Sequence, residues 1–158
     1  LGAAVAVASA LGDKFLIKWP NDILSPDGEK VSGILSEADI SEGFLILGIG
    51  INCNRTPLGV AGACAASDVT GEVIDQAVLA AEVVSRVLEI VNWSESAVLT
   101  AWRERDALIG KAIQVGKVSG VAAGVDERGA LRVESNDGVE DYVLAGDVEL
   151  IGQLGGTR

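Results

Sequence analysis

Lys30 is the residue of this sequence best placed to do chemistry. It opens the run Lys30-Val31-Ser32-Gly33-Ile34-Leu35. Lys18-Trp19-Pro20-Asn21-Asp22 precedes that run and Gly48-Ile49-Gly50-Ile51-Asn52-Cys53-Asn54 follows it, all within 37 residues. Each run mixes polar groups with strand-type apolar residues, so each places its polar groups on a sheet. A lysine fixed on such a sheet can counter negative charge as it builds on a bound ligand. A lone lysine after a glycine turn would read as a surface residue; the flanking runs single Lys30 out.

The other polar positions carry two readings each. Asn21 and Asp22 follow Pro20, and they can stabilise the bend as an Asx turn, act on a ligand, or do both. Gly33 inside a strand marks either a bulge or a close approach of backbone to a ligand. Ser32 would add a hydroxyl next to such a ligand. Gly48-Ile49-Gly50 imitates a dinucleotide fingerprint but has no third glycine opening a helix, so that reading fails. The sequence has no histidine, so Cys53 lacks an imidazole base and reads as packing. Cys53 and Cys64 are too far apart for metal-binding spacing, and a zinc site is excluded.

The elements that must position these groups are legible from pattern. Leu1–Leu11 reads as a buried helix and Phe15–Lys18 as a short strand. Pro20 lacks an amide donor and cannot continue that strand inside a sheet. Lys30–Ile40 and Gly43–Asn52 read as a hairpin joined through Ile40-Ser41-Glu42-Gly43. Residues 54–70 form a loop with one short helix. Helical spacing runs from Val73 to Val91 with one wide apolar face, and from Glu95 to Arg105 after an N-cap at Ser94. Past Gly110 come short strands at 112–115, 118–125, 131–134, 139–144 and 148–150. Asp126-Glu127-Arg128-Gly129 and Asn136-Asp137-Gly138 mark the turns between them. Five strands in so short a stretch predict a small barrel of the SH3 type. From Gly152 the chain reads as a loose tail.

Bulk properties narrow the classes. With 158 residues, 49% hydrophobic and 22% charged, the chain can bury a core and is not disordered by composition. Its net charge of −11 argues against gripping a phosphate backbone, which needs clustered Lys and Arg. Leu1–Leu11 imitates a secretory signal but lacks a basic flank, and it is too short to span a bilayer. Two cysteines do not make a disulfide framework, which fits reduced thiols in a cytoplasmic protein. The chain has no methionine and opens in what reads as mid-helix, so an upstream segment is expected.

The three runs together resemble the central part of biotin protein ligases. That resemblance covers nearly the whole chain. It implies an α+β fold: a mixed or antiparallel sheet backed by helices, of the class II synthetase-like catalytic type, over residues 1–109. A small SH3-like β-barrel follows over 110–151, with a tail at 152–158. It implies the joining of biotin and ATP into biotinyl-5′-AMP, then transfer of biotin to a lysine of a carboxylase carrier domain. Lys30 would be the catalytic residue. Asn21, Asp22 and Asn52 would lie on the nucleotide side, with Asp22 meeting Mg²⁺ directly or through water. Gly33 and Leu35 would line biotin, and Gly48 and Gly50 would let backbone approach the nucleotide. A homodimer is expected, with no nucleic acid or membrane partner. The family's Ser-Thr biotin contacts and its Gly-Arg-Gly-Arg-type loop have no counterpart in this sequence. A lipoate or octanoate acyltransferase, and a non-catalytic dimerising or carrier-docking fragment, are the alternatives.

Overall fold

The computed structural model describes residues 1–39, 41–135 and 137–151. Ile40 of the expected hairpin, Asn136 of the expected turn and the expected tail from Gly152 lie outside the described residues. Helix α1 (Gly2–Leu11) leads into strands β1 (Leu16–Lys18), β2 (Asp22–Leu24), β3 (Lys30–Asp39) and β4 (Phe44–Ile51). Helices α2 (Ala66–Thr70), α3 (Gln76–Ile90) and α4 (Glu95–Arg103) follow. Strands β5 (Ala112–Val115), β6 (Val118–Val125), β7 (Leu131–Glu134), β8 (Glu140–Val143) and β9 (Val148–Leu150) complete the chain.

Two sheets result, ordered β1-β2-β3-β4 and β8-β7-β6-β5-β9. Every strand pair is antiparallel, so the mixed sheet left open by the sequence is not formed. Parallel geometry is confined to isolated bridges, Ile17 with Asp106 and Lys30 with Ala63. The expected SH3-like barrel is overturned: the second sheet is open. Closure needs the two end strands to pair with each other. Here, among the described residues, β8 pairs only with β7 and β9 only with β5, so the two end strands do not meet.

Pro20 breaks the first strand as expected, but the chain does not leave the sheet. It turns at once and returns as β2, which the sequence did not suggest because it holds only three residues. Lys18 pairs with Asp22 across that tight hairpin. Helix α1 packs against α3, α4, β1 and β2, and Ala4 to Ala8 are all buried. Small residues on every side let α1 serve as the middle layer, as its unbroken apolar run requires.

Helix α3 starts later than its apolar spacing predicts, because Asp75 caps it and accepts from Ala77 N at 2.9 Å and Val78 N at 3.2 Å. The apolar face expected over Val73 to Val91 (Val73, Ile74, Ala77, Val78, Ala81, Val84, Val87, Leu88 and Val91) is not the one the helix buries. Val73, Val78, Val84, Leu88 and Val91 are exposed, and Leu79, Val83 and Ile90, outside that set, enter the core instead. Ser94 caps α4 as expected, accepting from Ala97 N at 3.2 Å. In the second sheet β6 passes β7 closely at Gly120, where an added Cβ would stand 2.3 Å from Glu134 O. No side chain fits there.

The two sheets share one core. Ile17, Ile23 and Trp19 belong to the same buried cluster as Ile113, Leu131 and Val133. The segment after α4 is stitched to β1 by Ile17 N to Arg105 O at 2.7 Å and Ala107 N to Ile17 O at 2.8 Å. Asp106 sits at that seam. Burial raises its carboxyl above the ordinary carboxylate range, opposed by the backbone amides of Leu108 and Ile109 and by Lys111. The folded chain therefore holds this proton to higher pH than the unfolded chain does. Asp106 favours folding most fully below its unfolded pKa, and that contribution is lost as pH rises through the raised value. Asp106→Asn is expected to gain stability over the parent as pH climbs from about 4 to about 7. Urea midpoints measured across that range check it; parallel curves would remove Asp106 from the account.

Candidate functional site

The site is built on the face of the first sheet turned away from α1. Cross-strand register sets Asp22, Gly33 and Gly50 in one row, and Leu35 beside Gly48 in the next. Side chains in such rows share a face. The opposite face carries Ile23, Ser32 and Ile51, then Ile34 and Ile49, and belongs to the core.

Strict alternation from Gly33 would send Lys30 toward the core. It does not go there, because the register shifts between Ile23 and Leu24: Ile23 faces Ser32, while Leu24 faces Lys30. Val31 is the extra residue of a β-bulge. Bulges re-aim a side chain locally, and here the lysine turns onto the open face. Its Nζ reaches Asp22 Oδ1 at 2.6 Å, with the two side chains 48% and 19% exposed. A pair this exposed contributes at most about 1 kcal/mol to stability. Its importance is positional. Lys30 backbone is pinned on both sides, its N donating to Gly62 O at 2.7 Å and its O accepting from Cys64 N at 3.1 Å.

The glycines of this face differ. A Cβ at Gly48 would meet nothing nearer than Leu35 O at 3.8 Å, and one at Gly50 only Gly33 O at 4.0 Å. Both lie exposed, so they leave a bare stretch of backbone that a flat ligand could approach. At Gly33 the space is taken: Lys30 Cε and Nζ stand 3.2 Å from the Cβ position, with Asp22 Oδ1 at 3.6 Å. Leu35 projects from the same face and is 63% exposed.

The other predicted residues are engaged with backbone. Asn21 Nδ2 donates to Ile34 O at 2.5 Å, and Ile34 N returns to Asn21 O at 3.1 Å. Asn21 thus clamps β3 next to the start of β2, a long-range tie and not the local Asx turn that Pro20 suggested. Asn52 Nδ2 faces Lys30 O at 3.4 Å and Cys64 O at 3.3 Å. It ties the end of β4 to the 62–66 segment just behind the lysine. Ser32 is buried on the core side, with no hydrogen-bond partner for its Oγ among the described residues. The expectation that its hydroxyl shares the Gly33 face is therefore corrected: alternation sends it the other way. Cys64 is buried and desolvation raises its thiol pKa, which suits packing and not nucleophilic attack. Sequence reasoning missed the 62–66 segment, whose Gly-Ala-Cys-Ala-Ala composition gives no sign that it braces Lys30.

Among the described residues no three His, Cys, Asp or Glu converge as a metal cage. Mg²⁺ needs no such cage, because it keeps most of its waters and takes one or two carboxylates plus substrate phosphates. Asp22 is the carboxylate on this face that could serve. A cleft of about 860 Å³ lies beside these groups and not upon them. It is walled by Trp19, Pro20, Ile34, Leu35, Leu45 and Trp93, and touches neither Lys30 nor Asp22. It meets the site at Leu35 and Asn21.

The chain is similar to known proteins in sequence and in fold. Residues 108–151 match the model of the biotin protein ligase C terminal domain. The chain is 32% identical to the bifunctional ligase/repressor BirA of Bacillus subtilis over 94% of its own length and 51% of that protein's. It is also 32% identical to the biotin–[acetyl-CoA-carboxylase] ligase of Mycobacterium tuberculosis, over 84% of the chain and 52% of the relative. The chain thus spans about half the length of the curated relatives it matches. Among solved structures it is similar to the biotin protein ligase from Aquifex aeolicus in complex with biotin and ATP. That likeness has a TM-score of 0.82 and 26% identity, covering 94% of this chain and 68% of the other.

Proposed function

This chain belongs to the biotin protein ligase family, and from that premise we propose that it serves the joining of biotin and ATP into biotinyl-5′-AMP and the transfer of biotin to a carrier lysine. The observation that carries the reading is Lys30, turned by a bulge onto an open, glycine-floored sheet face and held at 2.6 Å from Asp22.

In the first step a biotin carboxylate oxygen bonds to the α-phosphorus of ATP and pyrophosphate leaves with the electrons of the broken P–O bond. The Lys30 ammonium offsets the charge on the attacking carboxylate and the α-phosphate. In the second step the carrier's lysine amine attacks the biotinyl carbonyl carbon. AMP leaves, and the amine gives up a proton as the amide forms. Leu35 lines biotin and is shared by the apolar cleft. Gly48 and Gly50 give the nucleotide access to backbone. Asn21 and Asn52 hold the strands that shape the nucleotide side. Asp22 would hold a hydrated Mg²⁺ through one carboxylate oxygen, and the ion would supply neutralisation of phosphate charge there.

We assign residues 1–109 to the later part of the catalytic domain and 110–151 to the C-terminal domain. The partner is the biotin carboxyl carrier domain of a carboxylase, and the compartment is the cytoplasm. No helix among the described residues is long and apolar enough to cross a membrane. The test is the full-length protein with biotin, ATP, Mg²⁺ and a carrier domain. Pyrophosphate release together with covalent biotin on the carrier is the expected result. Release with lipoate and not with biotin would transfer the reading to the lipoate enzymes.

A two-fold homodimer through β4 belongs to the same proposal. The outer edge of β4 has no partner strand among the described residues, and Phe44, Leu45 and Ile46 are exposed along it. Such an edge invites pairing. Sedimentation at micromolar protein is expected to show the dimer; a single monomeric species, unmoved by biotin and ATP, would end that part of the proposal.

A further inference from the structure

We infer that Gly33 is a positioning residue for Lys30: its missing side chain is the berth in which the lysine lies while paired to Asp22. The inference rests on the proposed role of Lys30 and departs from the expectation that Gly33 serves by lining biotin.

Three independent observations meet at this point. Asp22 and Gly33 are direct cross-strand partners, so their α-carbons stand side by side. The bulge at Val31 brings Lys30 onto their face. The lysine's last carbon and its nitrogen both lie 3.2 Å from where a Gly33 Cβ would be. The stem of Lys30 therefore folds back along the sheet across Gly33, and the ammonium ends over Asp22. A methyl group at 33 would compete for this space, and the atoms that must give way are the far end of a flexible side chain. Gly33 is not among the glycines with positive φ, so alanine can adopt its backbone without strain. The fold is expected to survive and the lysine to be displaced.

This separates Gly33 from the other glycines of the face. Gly48 and Gly50 have no neighbour closer than 3.8 Å, so the room they leave is available to something outside the chain. The room at Gly33 is filled from inside.

The experiment measures how fast an amine-selective ester acylates Lys30 in the full-length protein without biotin or ATP. Labelling is read by peptide mass spectrometry, with Lys14 and Lys117 as internal references. Gly33→Ala is expected to label Lys30 about threefold faster than the parent, the range that loss of one exposed ion pair allows. Asp22→Asn is expected to act alike, and the double variant no more than either single one, because both remove the same pairing. Gly48→Ala is expected to leave Lys30 labelling unchanged. In turnover, Gly33→Ala should lower kcat more than it raises KM for biotin. Unchanged Lys30 labelling in a folded Gly33→Ala protein, with a raised KM for biotin alone, would overturn the inference and return Gly33 to the biotin wall. If instead Lys30→Ala keeps full turnover, the role of Lys30 fails whatever the labelling shows.

Discussion

Lys30→Ala in the full-length protein is expected to lower adenylate formation by about 10²–10³, with the fold intact. Removing one preorganised electrostatic contact at a centre of developing charge commonly has that effect, about 3–4 kcal/mol in the barrier. The structure adds why stability should hardly change. The side chain is half exposed, its one ion pair is a surface pair, and its backbone bonds to Gly62 and Cys64 do not need the ammonium. Lys30→Arg is expected to fall well short of the parent as well. A guanidinium is a broad planar fork, and the berth over Gly33 holds the slim end of a lysine. Pyrophosphate release with saturating biotin and ATP is the measurement. Near-parental turnover of Lys30→Ala would sink the assignment.

Trp19→Ala is expected to destabilise the chain by about 3–5 kcal/mol, the usual cost of removing a fully buried large aromatic side chain. Trp19 is 2% exposed and packs within the shared core. Its Nε1 also donates to Gly129 O at 3.0 Å, joining the β1–β2 hairpin to the β6–β7 turn. In a chain of this size that loss corresponds to a fall of about 6–20 °C in Tm. Trp19→Phe separates the two contributions. It keeps most of the apolar area and leaves Gly129 O without that donor, for about 1–3 kcal/mol. Thermal and urea unfolding of both variants would show it. An alanine variant within about 1 kcal/mol of the parent would mean that the hairpin and the second sheet do not depend on this contact.

Local chemistry made much of this molecule legible. The N-cap at Ser94 needs only a hydroxyl before a helical run, and it is found where expected. Short apolar runs bounded by turn residues marked the strands of both sheets other than β2. The low degeneracy of the Lys18, Lys30 and Gly48 runs carried the resemblance to biotin protein ligases, and the curated relatives similar to the chain are of that kind. Short elements escaped. The three residues of β2 carry too little pattern to be seen, and closure of the second sheet depends on how its two edge strands meet, which no local signal encodes.

The sequence by itself determined which groups are available: one lysine after a glycine turn, an acid beside a proline, and glycines at the right intervals in apolar strands. Only the tertiary structure decided where they point. Alternation alone would have sent Lys30 into the core with Ser32 and Ile34; one extra residue at Val31, set by pairing with β2, turned it toward Asp22. The same pairing revealed that the space at Gly33 belongs to the lysine, and that Asn21 and Asn52 hold backbone in place. Side-chain direction in a sheet is a property of register, and register is decided between strands, by partners that a single strand's residues do not name.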